Sequence, residues 1–177
     1  SRLIDDIDEI YAKTLFNYQK ANLILLKGNV YYETAVKLKG IEDAVKIAST
    51  LGKAGIDAVE VSGGIGDSFP SACRPDIDSP GKEAYFSDNA RKIREVLSVP
   101  VICVGGIRSR EVMESIISTK KADMVSMSRP FIREPDLVER LRKGLAEKAS
   151  CISCNQCWHP KGIRCAQIGK QGLGARD

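Results

Sequence analysis

The sequence predicts a parallel α/β fold, and three observations carry that prediction. Short apolar runs alternate with stretches of helical periodicity. Each apolar run ends in glycine, serine or charged residues. One run, VPVICVGG (99–106), is apolar on both alternations, as a strand buried on both faces must be.

Taken in order, AVKLK (35–39) reads as the first strand. IEDAVKIASTLGKAG (41–55) then sets Ile41, Ala44, Val45, Ala48 and Leu51 at helical spacing, with Gly55 as the C-terminal stop. DAVEVSGG (57–64) is the second strand. The polar stretch GIGDSFPSACRPDIDSPGKEAY that follows exceeds a plain connector and reads as a functional loop. SDNARKIREVL (87–97) is a helix with Ser87 as its N-cap, and VPVICVGG is the third strand. SREVMESIIS (109–118) is a helix capped by Ser109, and ADMVSMSRP (122–130) is a strand running into a sharp turn. EPDLVERLRKGL (134–145) is a helix with Pro135 in its first turn.

These are four β/α units, half of an eight-stranded barrel, which takes about 250 residues. The chain therefore divides into a helix and irregular segment (1–34), four β/α units (35–148) and a cysteine-rich segment and tail (149–177). A half-barrel leaves two strand edges open. Two copies close it, a second chain supplies the missing half, or the sequence is a piece of a longer protein.

With 177 residues, 43% hydrophobic and 28% charged, the composition is that of one globular domain. The longest apolar run, Ala21 to Leu26, falls far short of the roughly 20 residues that span a bilayer. A net charge of +4, spread along the chain without a basic block, gives no basis for nucleic-acid binding. The opening SRLIDDIDEIYAKT is acidic where a signal peptide is basic, so the expected location is the cytoplasm, where thiols stay reduced.

Several residues invite chemistry. VGGIRS (104–109) offers a phosphate cradle: Gly105 and Gly106 permit close approach, and Ser109 opens a helix pointing at the anion. The plain alternative is a tight turn that needs two glycines. Arg129, in SRP at the end of the neighbouring strand, suits a bidentate phosphate contact. Lys37 interrupts an apolar strand. It either faces inward against an anion or an electron-rich ring, or shares an exposed face with Lys39. Glu60 would be its structural partner on the next strand. The single histidine, His159, excludes a His pair and argues against a Ser–His–Asp triad.

Four of the six cysteines fall in CISCNQCWHPKGIRC (151–165). Cys151, Cys154 and Cys157 are spaced C-x2-C-x2-C, and Cys165 follows after seven residues. Overlapping triplets suit an iron–sulfur cluster better than zinc, which favours separated pairs; bare thiols remain the third reading. Cys73 is expected as a loop thiol and Cys103 as a core residue.

VKLKG, DAVEVSGG, EAYF, PVICVGGIRS, ADMVSMSRPFIREPDLVERLRKG and CISCNQC, in that order, resemble the C-terminal half of the NADH:flavin oxidoreductase (old yellow enzyme-like) family. The resemblance runs from about residue 35 to 165. It implies parallel units of a TIM-type barrel, FMN at the C-terminal ends of the strands, NAD(P)H as electron donor and a small-molecule substrate. It also implies that Lys37 lies near the pyrimidine edge of the flavin. Gly105 and Gly106 would cradle the phosphate and Arg129 would bind it. Ser128 stands where the family usually has glycine. The cysteines resemble those of the branch that adds a [4Fe–4S] cluster, such as dienoyl-CoA reductase and trimethylamine dehydrogenase. That makes Cys151, Cys154, Cys157 and Cys165 its implied ligands, although relatives have a longer final gap. The family's substrate-binding and proton-donating residues come from its N-terminal half, so no catalytic residue is assigned here.

Overall fold

The computed structural model describes residues 41–63, 73–159 and 162–168. The expected first strand, with Lys37 on it, and the 1–34 segment lie outside the described residues, as do 169–177 of the tail.

A three-stranded parallel sheet forms the centre. β1 (Val59–Val61) pairs with β2 (Val101–Cys103), and β2 pairs with β3 (Met124–Val125), so the sheet order follows the chain order. Between them run α1 (Ile41–Lys53, ahead of β1), α2 (Ser87–Arg94) and α3 (Arg110–Ser118). The chain then closes with α4 (Arg129–Arg133) and α5 (Leu137–Arg142). This is the repeating β/α order expected from the sequence.

Burial explains the strand assignments. Val101 and Cys103 on β2 are wholly buried, as are or nearly are Val59 and Val61 on β1, while Glu60 and Ile102 face a half-buried side. Ala48 and Leu51 of α1, Ala90 and Ile93 of α2, and Ile116 of α3 close over the sheet in one cluster. Of these, Leu51, Ile93 and Ile116 each contribute about 1.5–3 kcal/mol on burial. Leu137 and Leu141 of α5 build a second, smaller core with Ala149 and Cys151, packed by Met113, Met127 and Phe131.

Three element ends differ from expectation. Ser87 is the first residue of α2, and Phe86 occupies the N-cap position. Phe86 is pinned there by burial against Gly63 and Gly105, which outweighs the cap preference of serine. Pro135 precedes α5, whose N-cap is Asp136; the tight turn in which Glu134 N–H bonds Pro130 carbonyl places the proline outside the helix. Ser109 does stand at the N-cap of α3, yet its side chain makes no capping bond. Its hydroxyl instead donates to Glu83, as described below. Gly55, at φ +82, ends the first helix as expected.

Candidate functional site

β2 and β3 are parallel neighbours, so the turns that follow them emerge side by side. Gly105 and Gly106 follow β2, and Ser128 and Arg129 follow β3. Gly105 has φ +121 and Gly106 φ +70. A Cβ on Gly105 would lie 2.9 Å from Phe86 Cδ2, and one on Gly106 would lie 2.8 Å from Tyr85 Cε1. Both glycines are therefore required twice, by backbone angle and by the rings packed on them. Tyr85 N–H also donates to Gly105 carbonyl at 3.2 Å, which fixes the ring over the turn.

An arginine packs on the same ring. The Arg74 guanidinium lies 4.3 Å from the Tyr85 centroid, a cation–π distance. Arg74 Nε is buried without a partner among the described residues. Burial pushes the Tyr85 phenol above its ordinary value, while the Arg74 backbone N–H and the charges of Arg129 and Arg74 pull the other way. Arg129 donates from Nη1 to Arg74 carbonyl at 2.9 Å and to Asn155 Oδ1. Arg74 thus stands between the Tyr85 ring and Arg129. Among the described residues nothing accepts from the Arg129 Nε or Nη2. Ser128 is exposed at φ −117, an angle open to any residue, so the backbone there does not need a glycine.

The mouth of α3 is where the structure departs from the sequence reading. Glu83 Oε2 accepts from Arg108 N–H at 2.7 Å, Ser109 N–H at 2.9 Å and Ser109 hydroxyl at 3.1 Å. A resident carboxylate already holds the helix N-terminus, so an external anion is not bound there. What remains for a phosphate is the glycine turn and the free side of Arg129. Nothing local marked Glu83 for this role: it lies 25 residues from Arg108. Arg74 was equally unsignalled.

The thiol segment wraps a loop with two residues in the left-handed region, Ser153 (φ +54) and Asn155 (φ +56). Each left-handed residue other than glycine costs about 1–2 kcal/mol, least for asparagine. Beyond Cys157, the strands β4 (Trp158–His159) and β5 (Gly162–Ile163) pair antiparallel, and Arg164 N–H donates to Cys157 carbonyl at 3.0 Å. That pairing brings Arg164, the residue before Cys165, alongside Cys157.

The Cys157 thiol is pushed up by burial first, then by its neighbours Cys151, Cys165 and Cys154, with Arg129 opposing. Arg133 Nη1 donates to Cys165 Sγ at 3.7 Å and Gln167 Nε2 to Cys154 Sγ at 3.7 Å. Among the described residues no three His, Cys, Asp or Glu side chains gather around a point fit for one metal ion. Zinc draws its thiolates to about 2.3 Å from one centre, whereas a four-iron cluster keeps them apart at its corners. Four free thiols in one segment are a donor set of the chemical type that iron–sulfur clusters use.

The other sequence candidates are dispersed. Cys73 is exposed and Cys103 is buried, its thiol pushed up to about 11 by desolvation. His159 lies on β4, across from Gly162. No described helix is long and apolar enough to cross a membrane.

Residues 71–148 match the NADH:flavin oxidoreductase / NADH oxidase family. A NADH oxidase of Thermoanaerobacter brockii is 36% identical over 116 residues, covering 65% of this chain and 17% of that protein. A bilirubin reductase of Mediterraneibacter gnavus is 28% identical over 166 residues, 88% of this chain and 23% of its own length. A solved structure of the old yellow enzyme homologue from Zymomonas mobilis superposes with a TM-score of 0.43 at 24% identity, covering 68% of this chain and 30% of that one. The matched region spans only about a fifth of the curated relatives, 17% and 23% of their lengths.

Proposed function

We propose that the chain belongs to the NADH:flavin oxidoreductase family, whose model its residues 71–148 match, and that it forms the phosphate end of an FMN site in a flavin-dependent oxidoreductase of the TIM-barrel type. The observation that carries this reading is the placing of the Gly105–Gly106 turn and of Arg129 directly after two paired parallel strands, β2 and β3.

In this proposal the backbone of Gly105–Gly106 lies against the phosphate. Arg129 offers Nε and Nη2 to it as a charge-assisted fork, and Ser128 adds an exposed hydroxyl. Tyr85 and Phe86 hold the glycine turn in shape, and Glu83 keeps the anion off the helix mouth. Lys37 would reach the ring's pyrimidine edge. Bound FMN would supply hydride chemistry between NAD(P)H and an unsaturated or amine substrate. The names of the bilirubin reductase and NADH oxidase relatives fit the first of those classes and the electron donor.

We further propose that Cys151, Cys154, Cys157 and Cys165 hold a [4Fe–4S] cluster, which would relay single electrons. Arg133 and Gln167 then hydrogen-bond its sulfur ligands, and Arg129 offsets part of its negative charge. β1 and β3 each have an unpaired side among the described residues. A second chain, another copy or the rest of a longer polypeptide would cover them, in a reducing compartment such as the cytoplasm.

The first test is the visible spectrum of anaerobically purified protein before and after dithionite, with iron and acid-labile sulfide assayed on the same sample. Flavin bands over a broad shoulder, with about four irons per chain, are expected. A colourless, iron-free protein would sink both assignments. Arg129→Ala should weaken FMN about ten- to a hundredfold, the loss of one charge-assisted hydrogen-bonded contact. Unchanged FMN affinity in that variant would overturn the phosphate assignment.

A further inference from the structure

One arginine stands between the two sites. Arg129 Nη1 is shared by Arg74 carbonyl and Asn155 Oδ1, and Asn155 belongs to the CISCNQC loop. The same carboxamide donates from Nδ2 to Cys73 carbonyl at 2.7 Å, a contact across 82 residues of sequence. Next to it, Asp76 N–H donates to Ser153 carbonyl at 3.2 Å. The thiol loop is thus stitched to the 73–76 segment through Asn155 and Ser153, and hydrogen-bonded to Arg129 through Asn155.

We infer that Asn155 is a positioning residue for Arg129, and that through it the anion site and the thiol loop stabilise one another. The inference rests on the phosphate reading above. An arginine fork anchored at Nη1 presents its remaining donors in a fixed direction and loses less side-chain freedom when an anion arrives. A bound anion in turn holds Arg129 in the pose that Asn155 accepts from, which tightens the loop. By linkage the two effects are equal in size. No local sequence rule places an asparagine here for that purpose; its left-handed φ explains only why the backbone tolerates it.

The substitution that tests this is Asn155→Gly. Glycine adopts φ +56 without strain, so the carboxamide is removed while the backbone shape is kept. Ser153→Gly is the control: it relieves the same kind of backbone angle in the same loop and leaves Asn155 in place. FMN affinity is read from quenching of flavin fluorescence. Loop order is read from hydrogen–deuterium exchange across residues 151–157, on the full chain, with FMN, riboflavin or inorganic phosphate added.

In the wild type, FMN and inorganic phosphate slow exchange in the loop several-fold, and riboflavin, which lacks the phosphate, does not. Asn155→Gly abolishes that slowing and weakens FMN about tenfold, the share of one hydrogen bond to a charged group. Ser153→Gly changes neither. The inference fails if Asn155→Gly keeps the slowing, or binds FMN within about twofold of wild type. Should that variant lose its fold, the wild-type comparison decides: equal slowing by FMN and riboflavin, or none by either, overturns it. A failure of the parent reading looks different, because then Arg129→Ala itself leaves FMN affinity intact.

Discussion

Around Gly105 and Gly106 the chain is held from within. Gly105 sits on Tyr85 and Phe86, and Gly106 on Tyr85 and Ile77, directly after a strand whose Val101 and Cys103 are wholly buried. Around the four cysteines it is held from the edges. Ile152, Trp158, Ile163 and Ile168 are all exposed there, and the segment is fastened by polar contacts. Glu134 Oε2 accepts from Ser150 N–H at 2.6 Å, Arg133 Nε donates to Ser150 hydroxyl at 2.6 Å, and Asn155 joins Arg129 to Cys73. Only Cys151 enters an apolar cluster, with Leu137 and Ala149. The first region is shaped by packing, which is indifferent to pH and salt. The second depends on hydrogen bonds and charge, so it is expected to open before the sheet does.

The largest effect that sharpens this contrast comes from the one apolar anchor of the thiol segment. Leu137→Ala removes a wholly buried side chain and should cost about 2–5 kcal/mol. In a denaturant melt of protein loaded with the proposed cluster, the loss should be accompanied by reduced iron retention. A destabilised protein that keeps its iron fully would break the comparison. Gly106→Ala should come next, at about 1–2 kcal/mol from the backbone alone, plus displacement of Tyr85. FMN affinity should fall with it, while exchange protection in the thiol segment without ligand should not change.

The smallest effect is a pH dependence. Burial alone would raise the Glu134 carboxyl, but its bonds to Ser150 and Arg140 outweigh that and hold it below the usual glutamate range. A carboxyl depressed in the fold stabilises above its unfolded value and loses that contribution as pH falls through its folded value. Acidification through the carboxylate range should therefore loosen residues 149–157 before the sheet, seen as faster amide exchange. Glu134→Gln should flatten that step. An identical acid profile in the variant would remove Glu134 from the account.

What was legible in the sequence follows the same division. Period-two and period-3.6 patterns located β1, β2, β3 and the helices between them because a buried face leaves a regular trace in residue type. Cys73 and Cys103 were placed correctly for the same reason. The capping of α3 was not legible. Ser109 carries the local signal of an N-cap, but Glu83 outcompetes it from a distant loop with a charged acceptor for three donors. Phe86 displaced Ser87 through packing that periodicity does not encode. Arg74 and Asn155 surround Arg129 only because the chain brings residues 73–76, 129 and 155 together, and no spacing rule records such a meeting. Lys37 and its relation to Glu60 lie outside the described residues.

The hairpin that brings Arg164 alongside Cys157 has an optical consequence. It carries Trp158, the only tryptophan in the chain, 80% exposed and adjacent in sequence to a thiol. Selective ultraviolet excitation therefore illuminates a single site next to the cysteines. Any coloured group assembled there would drain that emission by energy transfer, and its departure would restore it. The protein contains its own lamp for following loading and loss at the thiol segment in real time, without a label.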